Sequence, residues 1–189
     1  MSKGYLLGAL MMVSGVFRAA TAEADPEAAV DHGDGCVIDP AAPAVTIDSL
    51  RWNCTGLQHA RIYRTAQAGS VPSGVMNGWV TSTSPIEPLV PAFWIGKAFD
   101  TGPDGGQLTN RITGADLEGW PANVYPAPSR VDGEKTWVLD YTPAITPQVY
   151  DEIREIVPGV WLGYSWWRST RQTPVLLSFV LAHGEAVGP

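Results

Sequence analysis

Hydrophobic and polar positions alternate along much of the chain, which is the pattern of short β-strands. Nine segments show it, and they are 45–52, 57–65, 78–83, 93–100, 107–113, 123–131, 134–142, 160–169 and 174–183. Glycine and proline separate many of these short elements, which favours β architecture over a helical bundle. The pattern predicts an all-β fold, either a closed antiparallel barrel of about eight to nine strands or a two-sheet sandwich.

One of these segments has a lysine in an apolar row. Successive side chains of a strand point to opposite faces, so Phe93, Ile95, Lys97 and Phe99 share one face. A polar group on an otherwise apolar face is typical of a barrel or curved sheet that encloses a pocket. We therefore expect this strand to form part of a pocket wall.

A single helix is predicted before the penultimate strand, over 147–157. Thr146 offers an N-cap before Pro147, and Tyr150, Ile153 and Val157 then fall on one helical face. The charged residues between them would face solvent. A short helix of this kind can pack over one end of a barrel.

The chain length and the amino-terminal pattern indicate one exported domain. Residues 1–24 read as a secretory signal peptide cleaved near Ala22 or Ala24, residues 25–44 as an acidic flexible lead-in, and residues 45–185 as a single barrel domain. We expect a periplasmic or secreted protein without a transmembrane segment in the mature chain. The alternative is an amphipathic amino-terminal helix on a cytosolic protein.

The two cysteines agree with export. Cys36 and Cys54 are the only cysteines, and an exported protein would normally pair them in a disulfide. His32, Asp34 and His59 lie near them in the sequence, but the spacing lacks the CxxC or close histidine pair of a usual zinc site. We therefore predict a disulfide and no metal site.

Charge and missing motifs exclude several classes of function. The formal net charge is −7, from 19 acidic and 12 basic residues, and no basic run is present, which argues against a nucleic-acid partner. The chain has no GxGxxG after a strand, no GxxxxGK[ST], no HExxH and no GxSxG. We predict no cofactor, and we leave monomer and homodimer both open.

Several short motifs resemble those of small bacterial lipocalin-like, or calycin-type, β-barrels, and are weakly similar to the family named for a GxWxG motif. They are Trp94-x-Gly96-Lys97-x-Phe99, Asn110-Arg111, Val138–Pro143, Tyr150–Arg154 and Leu162-Gly163, and the similarity covers roughly half the chain. The GxWxG motif itself is interrupted, because Gly78-Trp79 is followed by Val80-Thr81. The resemblance implies a lipocalin-like barrel that binds a hydrophobic small molecule or, in a minority of members, acts as a cofactor-free enzyme.

Three polar residues are predicted to face the pocket. Burial would depress the pKa of Lys97 and make it an anion anchor or a base, unless its chain reaches out to water. Asn110 alternates with Leu108 and Ile112 and could donate a hydrogen bond to a ligand oxygen, or bond a neighbouring strand. Tyr141 lies in the apolar row of Trp137 and could extend its hydroxyl into the pocket.

Four further residues have weaker patterns. Tyr164 and Trp166 share a row with Arg168, which could bind a carboxylate or enolate at the barrel mouth or pair with a surface carboxylate. His59 lies in a strand-like run and could act as a general base, although an exposed edge-strand histidine is the plainer interpretation.

The function predicted from these features is binding of a hydrophobic or aromatic oxygen-bearing small molecule inside the barrel. The alternative is a cofactor-free isomerase, cyclase or lyase, and a second alternative is a structural cell-envelope protein. The candidate catalytic residues are Lys97, Tyr141, Tyr164 and His59, and the candidate ligand-binding residues are Phe93, Ile95, Phe99, Asn110, Trp137, Trp166 and Arg168.

Overall fold

The computed structural model describes residues 28–81, 94–112, 117–168 and 175–184. The predicted signal peptide lies outside these residues. Within the described ranges, no helix has the length and apolar character needed to cross a membrane.

The described residues form a closed antiparallel barrel, with a small amino-terminal segment on its outer surface. Eight described strands make up the barrel; each pairs with the next along the chain, and the last pairs with the first to close it. They are β3 (Gly74–Val80), β4 (Trp94–Gly102), β5 (Gly105–Ile112), β6 (Leu117–Pro128), β7 (Lys135–Asp140), β8 (Val149–Val157), β9 (Val160–Trp167) and β10 (Val175–His183). The predicted all-β barrel is confirmed.

The amino-terminal segment is folded and largely helical. It contains a hairpin of β1 (Val30–Asp31) and β2 (Val37–Ile38), then α1 (Pro43–Asp48), a π-helical turn (Ser49–Asn53) and α2 (Gly56–Thr65). The predicted flexible lead-in is therefore wrong for the described residues 28–44. The predicted disulfide is present, because Cys36 and Cys54 are bonded and hold the hairpin against the turn that follows α1.

The predicted strands over 45–52 and 57–65 are wrong, and the reason is clearest in α2. Thr55 caps this helix: its hydroxyl accepts a hydrogen bond from the backbone N–H of Gln58, whose side chain accepts one from the Thr55 backbone N–H in return. The buried positions of α2 are Gln58, His59, Ile62 and Tyr63, a spacing that places them on one face of a helix.

The predicted helix over 147–157 is also wrong, because this segment forms β8. Asp151 and Ile153 point into the barrel, while Glu152 and Arg154 point outward, and all four are buried. The amino-terminal segment covers the outer side of this strand, so β8 is buried on both faces. A strand that is covered on both faces has no simple alternation of buried and exposed positions. The sequence of β8 therefore resembles the pattern of a helix.

Charged groups on the outer face of β8 are bonded to fixed partners. The Arg154 guanidinium donates to the two carboxylate oxygens of Asp132, over 2.6 and 2.7 Å, and to the Tyr63 carbonyl over 2.9 Å. Glu152 accepts a hydrogen bond of 3.0 Å from the hydroxyl of Ser129. These bonds offset the cost of burying the charges and fasten α2 to the barrel wall.

Two apolar clusters hold the molecule together. The outer cluster lies between the amino-terminal segment and strands β8 to β10, and contains Cys36, Ile38, Ile47, Leu50, Ile62, Tyr63, Val157, Val160, Leu162, Tyr164, Val180 and Ala182. The inner cluster fills one end of the barrel with Met76, Phe99, Leu108, Val124, Trp137, Leu139, Ile153, Trp161 and Leu181, among others. The indole of Trp137 donates to the Gly69 carbonyl in the connection between α2 and β3, over 3.3 Å.

We expect loss of the disulfide to lower the stability of the protein. The bridge spans 18 residues, so the chain-entropy estimate of its contribution is about 3 kcal/mol. Urea unfolding of the wild type with and without dithiothreitol should show that loss, and the Cys36→Ser/Cys54→Ser variant should unfold at the lower urea concentration in both buffers. Equal midpoints for the oxidised protein and the variant would contradict the expectation.

Candidate functional site

A cavity of about 560 Å³ occupies the end of the barrel that the inner cluster does not fill. Its walls are mainly apolar, and its polar side chains gather next to the inner cluster. The lining residues are Val80, Trp94, Lys97, Asn110, Ile112, Trp120, Tyr141, Thr146, Val149, Asp151, Ser165, Leu177 and Phe179. The cavity is thus an apolar cup with a polar base.

The polar base is organised around the Lys97 ammonium group. Its Nζ donates to Asn110 Oδ1 over 2.9 Å, to the Tyr141 hydroxyl over 2.5 Å and to Asp151 Oδ2 over 3.2 Å. The Lys97 and Asp151 side chains are 3% and 6% exposed, so they form a buried ion pair. Three acceptors match the three N–H donors of an ammonium group, whereas a neutral amine would offer two.

Asn110 completes this polar group from the neighbouring strand. Its Oδ1 accepts a second hydrogen bond from the Trp94 indole, over 2.9 Å, and its Nδ2 donates to the Trp120 carbonyl and the Tyr141 hydroxyl, over 3.0 and 3.2 Å. The pairing of β5 with β6 shifts register between Leu108 and Asn110, and Trp120 has a φ of 48°. This irregularity brings the Trp120 carbonyl within reach of Asn110.

A bulge in β4 decides which side chains reach the cavity. The pairing with β5 shifts register between Trp94 and Gly96, so Trp94 and Lys97 both line the cavity. Ile95 instead lines an outer groove, which corrects its predicted place in the pocket wall. Gly96 has a φ of 141°, and a Cβ there would lie 2.0 Å from the Met76 carbonyl oxygen, so only glycine fits.

Burial changes the acid–base properties of the two central groups. It lowers the pKa of Lys97, while the Asp151 carboxylate acts in the opposite direction. Burial, followed by the negative charge of Asp151, raises the pKa of Tyr141 well above its ordinary value. Tyr141 therefore remains a neutral phenol near neutral pH, and its hydroxyl donates to Asp151 Oδ2 over 3.0 Å.

The structure brings Lys97, Asn110 and Tyr141 together at the base of the cavity. Phe99 and Trp137 also point into the barrel, but they belong to the inner cluster beside the cavity rather than to its lining. Phe93 lies outside the described residues.

Two predicted site residues lie on the outer face of the barrel. Tyr164 belongs to the outer cluster and packs edge-on against Tyr63, with ring centroids 5.1 Å apart. Trp166 packs against the same cluster. The face of β9 that lines the barrel carries the alternate residues, which include Gly163 and Ser165. The predicted places of Tyr164 and Trp166 in the ligand site are therefore wrong.

Two other candidates have structural partners away from the cavity. His59 lies in α2 rather than in a strand, with its Nε2 2.9 Å from the Leu50 carbonyl oxygen, and burial lowers its pKa. Arg168 pairs with the carboxylate of Asp140, with Nη2 2.8 Å from Oδ1. Neither residue lines the cavity.

Asp151 and Ser165 are two buried polar cavity residues that are absent from the candidates predicted from the sequence. The predicted helix puts Asp151 on its solvent side, and the predicted row of Tyr164, Trp166 and Arg168 leaves Ser165 on the opposite face of its strand. The signal for Asp151 is its strand spacing with Val149 and Ile153, which places these three side chains on one face of a strand. Tyr150, which is also buried, then lies on the other face.

Comparisons with known proteins leave the site to be interpreted from its own geometry. No protein-family model matches the chain, and no curated protein matches it. A crystal structure of a protein from Thermomonospora curvata is similar to it, with 17% identity, a TM-score of 0.44, and coverage of 69% of this chain and 88% of that chain. So distant a likeness carries no argument. Among the described residues, no group of three or more His, Cys, Asp or Glu side chains is arranged to hold a metal ion.

We expect Lys97→Met to destabilise the protein strongly, because it leaves Asp151 buried without its cation. Breaking a buried pair in this way costs about 3–5 kcal/mol, whereas replacing both members costs much less. The Lys97→Met/Asp151→Leu variant should therefore recover most of the loss in urea unfolding at neutral pH. A double variant no more stable than the single one would show that the ion pair does not dominate the base of the cavity.

We expect Arg168→Gln to raise the pKa of Asp140. Burial raises this pKa, but hydrogen bonds from Thr142 and Arg168 outweigh that effect and lower it from 3.8 to about 2. The corresponding stability is present above pH 3.8 and is lost as the pH falls through about 2. Carboxylate NMR titration of the variant should move the Asp140 midpoint toward 3.8, whereas the exposed Arg61→Gln control should not. An unchanged midpoint would show that Arg168 does not lower the pKa of Asp140.

Proposed function

We propose that the protein binds a mainly apolar small molecule with an oxygen function inside the barrel. The observation that carries this proposal is the cavity of about 560 Å³, whose apolar walls end at a buried group of hydrogen-bonding side chains. Small-molecule pockets commonly have volumes of about 300–1,000 Å³, apolar walls and a few polar groups that orient the ligand. The cavity matches this description in size and in the distribution of its polar residues.

The charges of the cavity favour a neutral ligand. Lys97 is the cation in the lining, and its charge is balanced by Asp151 at 3.2 Å. An anionic ligand would add a second negative charge to a balanced pair in a buried site, and a cationic ligand would compete with Lys97 itself. A neutral molecule avoids both of these electrostatic costs.

A cofactor-free isomerase, cyclase or lyase is the second candidate. The observation in its favour is that the Tyr141 hydroxyl lies between Lys97 and Asp151, so three titratable groups share one hydrogen-bonded unit. Such a unit can exchange protons with a substrate that reaches it. We place binding first because the donors of Lys97 and Tyr141 are already bonded within the protein. A structural cell-envelope protein would have a filled barrel, and the cavity argues against it.

We also propose that the protein is exported and belongs to the lipocalin-like barrels. The Cys36–Cys54 disulfide supports export, because such bonds persist in oxidising compartments. The closed antiparallel barrel with an internal cavity supports the likeness in architecture.

Binding can be tested with N-phenyl-1-naphthylamine, a neutral aromatic probe whose fluorescence rises in apolar surroundings. We expect saturable fluorescence enhancement with the wild type. Val149 lines the cavity, so Val149→Trp should fill part of it and weaken binding by about tenfold or more.

The matched control is Val75→Trp, which adds the same side chain at a position that is 57% exposed on the outer surface. It should bind the probe as the wild type does. Absence of saturable binding, or equal weakening in both variants, would remove the cavity as the binding site.

A further inference from the structure

Most of the polar atoms at the base of the cavity are already bonded within the protein. Lys97 uses three donors, Asn110 uses its amide donors and its oxygen, and Tyr141 both donates and accepts. The Trp94 indole is bonded to Asn110. A ligand that contacted these atoms would have to displace an existing hydrogen bond, so they are poor anchors for it.

Two of the buried polar residues in the lining keep a polar atom without a hydrogen-bond partner among the described residues. Asp151 Oδ1 is buried and accepts no hydrogen bond there, although Oδ2 of the same carboxylate is bonded to Lys97 and Tyr141. The Ser165 hydroxyl makes no hydrogen bond with the described residues, and Ser165 is 7% exposed. A buried carboxylate oxygen without a donor is costly, and a ligand can remove that cost.

These two groups are neighbours. Asp151 on β8 and Ser165 on β9 are directly paired across the two strands, and both line the cavity. Side chains of directly paired residues on one face of a sheet have Cβ atoms about 4.5–5.5 Å apart. One small ligand group can therefore reach both.

We infer that Asp151 and Ser165 form an anchor for a neutral hydroxyl group, so that the ligand is an apolar alcohol or phenol. This inference rests on the proposed function. A hydroxyl group donates one hydrogen bond, to Asp151 Oδ1, and accepts another, from the Ser165 hydroxyl. Oδ1 has almost no accessible surface as it stands, so the carboxylate turns slightly about its Cβ–Cγ bond, a torsion with broad preferences.

Other oxygen functions fit these two groups less well. A carboxylate ligand has no proton to donate to Asp151 and would bring a like charge beside it. An ether or ketone can accept from Ser165 but leaves Asp151 Oδ1 without a donor. The hydroxyl group satisfies both partners at once.

The anchor can be tested by calorimetric titration of the full protein with ligands that share one ring system. We expect 2-naphthol to bind about tenfold more tightly than the similarly sized 2-methylnaphthalene, with 2-methoxynaphthalene between them and 2-naphthoate weakest. Ser165→Ala should reduce the preference for 2-naphthol over 2-methylnaphthalene by about fivefold. Ser178→Ala, a buried serine outside the cavity lining, should leave that preference unchanged.

The outcomes separate the anchor from binding itself. Equal or tighter binding of 2-methoxynaphthalene or 2-naphthoate overturns the hydroxyl anchor, as does an unchanged preference in Ser165→Ala. Binding of N-phenyl-1-naphthylamine without binding of 2-naphthol also overturns the anchor and leaves the proposed function standing. Loss of binding for both compounds removes the proposed function.

Discussion

The ion pair between Lys97 and Asp151 is the constraint on which the interior of the barrel depends. A lysine and a carboxylate enclosed by apolar side chains are tolerated when their charges balance and their hydrogen bonds are made. Asn110 and Tyr141 supply those bonds from other parts of the sheet, and the rings of Trp94, Tyr141 and Phe179 lie 5.2 to 5.3 Å from Nζ. The pair therefore links β4, β5, β8 and the residue after β7 at one level of the barrel. It also divides the interior into a packed end and an open cup.

The outer surface of the barrel depends on the amino-terminal segment, which covers part of it. Strands β8 to β10 place apolar side chains such as Leu162 and Val180 outward, where they would be exposed without this cover. The disulfide holds the hairpin and helices that supply the cover, and Arg154 fastens them through the Tyr63 carbonyl. The described residues of the amino-terminal segment are thus part of the folded core, because they bury a face that a bare barrel would leave in water.

Alternation along the sequence was enough to predict the β architecture, since seven of the eight described barrel strands overlap the predicted segments. It failed at β8, where both faces are covered and charged residues on each side have partners in the fold. It failed over α2 as well, although the Thr55 and Gln58 capping pair was a readable helix signal. In the site, Lys97, Asn110 and Tyr141 were found because each interrupts an apolar row. Ile95 was misplaced because a bulge breaks the period, and alternation alone gives no warning of a bulge.

The charges on the two sides of β8 have a consequence for how the barrel assembles. Asp151 meets Lys97 inside, while Glu152 and Arg154 meet Ser129 and Asp132 outside. A shift of this strand by one position would turn the outer pair of charges into the apolar interior and carry Ile153 outward among polar partners. Each charge would then lose its counterpart in a buried environment. The buried charges on the two faces of β8 therefore select against this one-residue shift.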